Sequence, residues 1–139
     1  MKKLSILLFS LIAAACSPIL NVAMSEHRDW DFMKSVGGLT VGVQDKNPDW
    51  LIIRGDVSGL AQYSTKPTTI NSALTVMDVR KNVEGTNIQV YVVTTLACEK
   101  YPDPKIYGVS IKGVKEGRYL VQYLNPDGSV VDLKEVTIN

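Results

Sequence analysis

From Leu39 onward, apolar residues recur at every second position. Leu39, Val41 and Val43 alternate with Thr40, Gly42 and Gln44; Ile88, Val90 and Val92 alternate with Gln89, Tyr91 and Val93; Tyr119, Val121 and Tyr123 alternate with Leu120 and Gln122. A period of two sends one set of side chains to one face of an extended strand. Trp50-Leu51-Ile52-Ile53 is a short apolar run, and Ile70, Leu74, Val76 and Val79 lie in a stretch rich in Thr and Val. Ile106–Ile111 reads as a further strand. Val130, Leu133, Val136 and Ile138 are unevenly spaced, which predicts one last strand or a bulged pair.

Turn signals separate these runs. Asp45-Lys46-Asn47-Pro48-Asp49 is one, and Asn82–Thr86 is a hairpin turn in which Gly85 is free to take positive φ. Asn125-Pro126-Asp127-Gly128 combines a Pro that fixes φ with a Gly that closes the bend. The count is about seven strands with no helical pattern after residue 40, which predicts an all-β fold, an antiparallel β-sandwich. A parallel βαβ architecture needs helical crossovers, and none is visible.

The run Val114-Lys115-Glu116-Gly117-Arg118-Tyr119 resembles the tyrosine corner of immunoglobulin-like sandwiches. The resemblance spans roughly 106–138 and implies that the Tyr119 hydroxyl bonds back to main chain upstream. Val121 stands where that family has its second Cys, so an inter-sheet disulfide of the antibody kind is not implied. A generic hairpin with a Gly-x-Tyr start is the plain alternative. A sandwich fold does not fix function.

The other end of the chain is an address. Met1-Lys2-Lys3 precedes a mostly apolar run, Leu4 to Ile12, which exits through Ala13-Ala14-Ala15. Cations, a short apolar run and small residues form the pattern of a secretory signal, here 1–15. The run is shorter than the roughly 20 residues that cross a bilayer. Ala14-Ala15-Cys16-Ser17 resembles a bacterial lipobox, with Ala13 where Leu is usual. That resemblance implies cleavage before Cys16 and acylation of its sulfur and freed amino group. Ser17 lacks the Asp that retains lipoproteins at the inner membrane, so the resemblance points to the outer membrane, facing the periplasm. Two other readings stay open: ordinary cleavage to a soluble periplasmic or secreted form, and an uncleaved anchor using 4–24, which Pro18 and Asn21 interrupt.

Residues 16–35 read as a tether with a docking patch, His27-Arg28-Asp29-Trp30-Asp31-Phe32-Met33, before a β-domain over 36–139. Trp30 and Met33 suit one helical face, while Trp30 and Phe32 suit one strand face.

Composition narrows the chemistry. The chain has 139 residues, a size for one domain, and a formal charge of +1. Losing 1–15 removes Lys2 and Lys3 and leaves thirteen bases against fourteen acids. Lys112, Lys115 and Arg118 are interrupted by Glu116, so no field for nucleic acid develops. Two Cys and one His are too few for a zinc cluster. If Cys16 carries lipid it cannot pair with Cys98; if it does not, a Cys16–Cys98 bridge closes a long loop. The third reading makes Cys98 a small buried hydrophobe.

His27 precedes the expected fold, so no base is assembled for the usual hydrolytic triads. Asp45 with Asp49, and Glu99 with Asp103, read as solvated loop carboxylates. Gly37-Gly38 lacks the Lys and helix of a phosphate loop and reads as a bend before the first strand. Arg54-Gly55-Asp56 matches the integrin tripeptide but sits at a strand end, where chance is explanation enough.

The most distinctive loop is Cys98–Lys105. Pro102 and Pro104 stiffen it, which lowers the entropy lost on binding, and Tyr101 offers an amphipathic contact beside Pro102 and Asp103. Its plain reading is a rigid connection between sheets. Together these features predict a non-enzymatic envelope lipoprotein without cofactor or metal, held to the membrane by an N-terminal lipid on Cys16. It binds or supports another envelope protein through Tyr101, Pro102 and Asp103. The alternatives are an inhibitor of a secreted hydrolase and a hydrolase using unrecognised carboxylates.

Overall fold

The computed structural model describes residues 25–56, 74–96 and 106–139. Eight strands and one short helix occur among them: β1 Glu26–His27, α1 Trp30–Ser35, β2 Thr40–Gln44, β3 Asn47–Asp56, β4 Leu74–Glu84, β5 Asn87–Leu96, β6 Ile106–Ile111, β7 Gly117–Leu124 and β8 Val130–Ile138. The fold is all-β, in two sheets. One joins β2, β3 and β6, and the other joins β4, β5, β7 and β8 with β1 against β5.

The alternating apolar positions supply the core. Leu51 and Ile53 of the first sheet and Ile88, Val90, Val92, Val121 and Tyr123 of the second are fully buried in one shared cluster. Burial of such side chains contributes about 1.5–3 kcal/mol each. In β5 the opposite face is buried as well toward its end, at Val93 and Thr95. In β8 the register shifts between Val121 and Gln122 of its partner, where Lys134 and Asp132 face across and Leu133 is the extra residue. Of the two readings open for this stretch, one last strand or a bulged pair, β8 is a single strand that carries a bulge in its pairing with β7.

Five strand pairs are antiparallel, but β5 and β7 run parallel, Asn87 opposite Leu120 through Val90 opposite Tyr123. The expectation of a wholly antiparallel ladder is corrected at this pair. A helical crossover is unnecessary because the chain leaves β5, passes through β6 in the other sheet, and returns as β7.

A second difference concerns the N-terminal segment. The tether expected over 16–35 enters the fold from Glu26. His27 and Glu26 pair with Val93 and Thr94 of β5. Asp29 caps α1, its Oδ1 accepting from the Phe32 N–H at 2.8 Å. Met33 is fully buried in the core, Trp30 packs on Tyr123, and so the helical choice between the two readings of this segment is the one adopted. Gly37 and Gly38 take positive φ, and their N–H groups donate to the Lys34 and Met33 carbonyls. They end α1 rather than bend a strand.

Candidate functional site

Of the residues singled out by sequence, Cys16, Tyr101, Pro102 and Asp103 lie outside the described residues, as do Cys98 and Glu99. The others are placed. Arg54-Gly55-Asp56 is extended strand paired with Gly108, Tyr107 and Ile106, and Gly55 is buried. Asp45 lies in an exposed turn and Asp49 is exposed in β3. Lys112 sits over the Trp50 ring at 4.2 Å, and Arg118 pairs with Glu135 at 3.1 Å.

Among the described residues, a dense polar arrangement lies where β7 diverges from β5 and β1 takes its place. Arg28 is its centre. The Arg28 N–H donates to the Val92 carbonyl at 3.0 Å, and the Arg28 carbonyl accepts from the Tyr123 hydroxyl at 2.6 Å. Its guanidinium donates to Thr94 Oγ1 at 2.7 Å, pairs with Glu26 at 3.1 Å, and lies over the Phe32 ring at 4.4 Å. The Tyr123 hydroxyl also accepts from the Val92 N–H at 3.2 Å. Burial pushes the Tyr123 phenol up to about 12. The His27 ring stacks on Tyr91 with centroids 4.2 Å apart, and its Nε2 bonds the Leu124 carbonyl at 2.7 Å. The only His, expected on a peripheral tether, is therefore built into the sheet.

Beside this seam is a cleft of about 470 Å³ between the start of α1 and the β7–β8 turn. Asp29, Asp31 and Asp127 line it with Trp30 and Asn125. Their polar atoms serve local structure. Asp29 caps α1, Asp31 pairs with Lys34 at 3.1 Å, and Asp127 accepts from Ser129 N–H and Oγ at 2.9 and 2.6 Å. The two Ser129 bonds hold the Asp127 carboxyl below its ordinary value. Asn125 Oδ1 accepts from the Trp30 N–H at 2.8 Å, tying the helix to the turn. Among the described residues, no three His, Cys, Asp or Glu side chains are grouped to hold a metal ion.

A smaller cleft of about 190 Å³ lies at the opposite end, under Val83, Ile88, Ile111, Val114 and Tyr119 with Lys112 and Lys115 at its rim. Tyr119 donates its hydroxyl to the Lys115 carbonyl at 2.8 Å, the backward bond that the tyrosine-corner resemblance implies. Gly117 starts that strand with φ 150°, a conformation suited to glycine.

Sequence reasoning missed Arg28 and Tyr123 as a structural pair. A signal for the segment was present: Asp29 ahead of Trp30 and Met33, with Gly37-Gly38 after, is a helix start and stop. The described residues define an all-β protein of two sheets with the Glu26–Ser35 segment fastened to the larger one. No protein-family model, no curated protein and no solved structure matches the chain.

Proposed function

We propose that this protein is a small exported envelope lipoprotein, non-enzymatic, that binds or supports another envelope protein. The carrying observation is the run from Met1 to Ser17: two lysines, a short apolar stretch, small residues and Cys16. Acylation at Cys16 supplies the anchor, since each buried methylene contributes about 0.8 kcal/mol and several chains together hold firmly. Anchoring raises the effective concentration of the domain beside envelope partners. The contact residues proposed are Tyr101, Pro102 and Asp103, and the compartment is the outer membrane facing the periplasm. The sandwich is read as immunoglobulin-like on the strength of the Tyr119–Lys115 corner, with the parallel β5–β7 pair as a departure from that pattern.

Two measurements test this. An intact mass of the mature N-terminus is expected to show cleavage before Cys16 plus acyl chains. Cys16→Ser is expected to move the protein from the membrane to the soluble fraction. An unchanged distribution removes the lipid anchor and leaves the soluble periplasmic or secreted form. Tyr101→Ala is expected to weaken capture of the native partner without lowering stability, and equal affinity removes that contact.

A further inference from the structure

The strand register gathers several chain ends at one end of the fold. Asp56 ends β3 opposite Ile106, which begins β6. Leu74 begins β4 opposite Leu96, which ends β5. Glu26 enters beside Thr94, two residues before Leu96. The other end carries the Asp45–Lys46 and Gly85–Thr86 turns and the 112–116 connection. The two sheets agree on which end is which: Val83, Gly85 and Lys112 to Lys115 line one cleft, and the Val114 N–H donates to the Asp49 carbonyl at 2.9 Å.

Resting on the lipid-anchor reading, we propose that the anchored domain stands with the Asp56, Leu74, Leu96 and Ile106 end toward the bilayer and the Gly85 end away from it. A partner engaging the first end then lies in or on the same membrane, while one that stands clear of the membrane meets the Gly85 end.

The argument is one of reach. The seam at Arg28, His27 and Tyr123 fixes the entering segment, so the link to the lipid ends at Ser25. Nine residues from Cys16 to Ser25 span about 30 Å at full extension. From Glu26, level with Thr94, to the far turn is roughly 25 Å at 3.3 Å per residue. Turning the domain over therefore demands a link stretched nearly to its limit, which costs conformational entropy. A tether running free to Ser35 has about twice the reach, roughly 60 Å, and imposes no such orientation. The early docking of Glu26–Met33 thus turns a loose leash into a short one.

The test uses the full lipidated chain in phospholipid vesicles with acceptor-labelled headgroups. A fluorescent amino acid replaces exposed Arg54 of β3, near the first end, or exposed Thr86 at the far turn. Ser110, opposite Ile52, meets Lys81, opposite Val90, so Arg54 stands about level with Val92 and roughly 20 Å from the Thr86 turn, and energy transfer from position 54 is expected to exceed that from position 86. Inserting ten Gly and Ser residues after Met24 is expected to bring the two signals together. Equal transfer from both positions at native length, or stronger transfer from 86, in a protein that floats with the vesicles overturns the orientation and leaves anchoring intact. A protein that does not float overturns the anchor, and the orientation with it.

Discussion

The Tyr123 hydroxyl donates to the Arg28 carbonyl across 2.6 Å while accepting from the Val92 N–H, and so joins three segments of the chain with one oxygen. Arg28 lies 95 residues from Tyr123 in sequence. The bond sits where β7 parts from β5, at the point where β1 supplies the missing edge. Tyr123→Phe keeps the ring against Trp30 but leaves the Val92 N–H and the Arg28 carbonyl without that oxygen. A buried group left unsatisfied costs about 1–3 kcal/mol. Urea unfolding of the variant is expected to show a loss in that range at unchanged m-value. A loss within error places the strength of the seam elsewhere, at His27 or Asn125.

The same burial makes stability sensitive to alkali. The Tyr123 phenol titrates at about 12 in the fold, against an ordinary value of 10.0. Its folded pKa is raised, so the native state holds the proton more tightly than the unfolded chain. The contribution is complete below pH 10 and is lost as pH rises toward about 12. Midpoints of urea unfolding measured from pH 8 to 12 are expected to fall more steeply for the native protein than for Tyr123→Phe. Parallel curves contradict this, because the remaining tyrosines and lysines titrate in both proteins.

Gly55 and Tyr107 are cross-strand partners, and the tyrosine ring lies where a side chain at 55 would stand. A methyl group on Gly55 collides with the ring, and one on Gly108 collides with the Ile53 carbonyl. Overpacking of this kind costs typically 1–3 kcal/mol, occasionally more. Gly55→Ala is expected to lower stability by at least that much. Adding Tyr107→Leu to Gly55→Ala is expected to cost less than the sum of the two single changes, since the second removes the obstacle to the first. Additive losses in thermal or urea unfolding refute the steric account.

Strand positions were legible because alternation survives any register. Ile88, Val90, Val92, Val121 and Tyr123 are apolar at every second position and are all buried. The turns at Gly85 and at Asn125–Gly128 were legible from local chemistry alone. The parallel alignment of β5 with β7 was not, since Ile88 beside Val121 presents the same alternation whichever way the strands run. Direction there is decided by the passage through β6, a non-local matter. The fold of Glu26–Ser35 was obscured by its brevity: two strand residues and six helical ones carry too short a period to read. Its polar residues read as a docking patch on a tether, yet the Arg28 guanidinium is held by Thr94 and Glu26 and Asp29 caps α1. Of the candidate site, the local bond of Tyr119 was readable from Gly117 and Tyr119, while the meeting of Arg28 with Tyr123 depends on tertiary packing.

Among the described residues, a lysine bridges the two sheets on each side. Lys81 of β4 donates to the Ser110 carbonyl of edge strand β6, and Lys134 of β8 donates to the Val41 carbonyl of edge strand β2, each at 3.1 Å. Unpaired carbonyls along an edge strand are a template for another chain, and a charged side chain over them blocks its approach. Each lysine is exposed, so its hydrogen bond adds little to stability, within about 0.5 kcal/mol for a surface change of this kind. Lys81→Ala with Lys134→Ala is therefore expected to unfold at nearly the native urea midpoint but to self-associate with rising concentration, read by sedimentation velocity. The Arg counterparts at both positions are expected to stay monodisperse, because a cation and donors remain over the edge. Sedimentation of the double alanine variant that does not change with concentration would show that the edges are protected by strand twist and the bulge at Leu133 rather than by these two side chains.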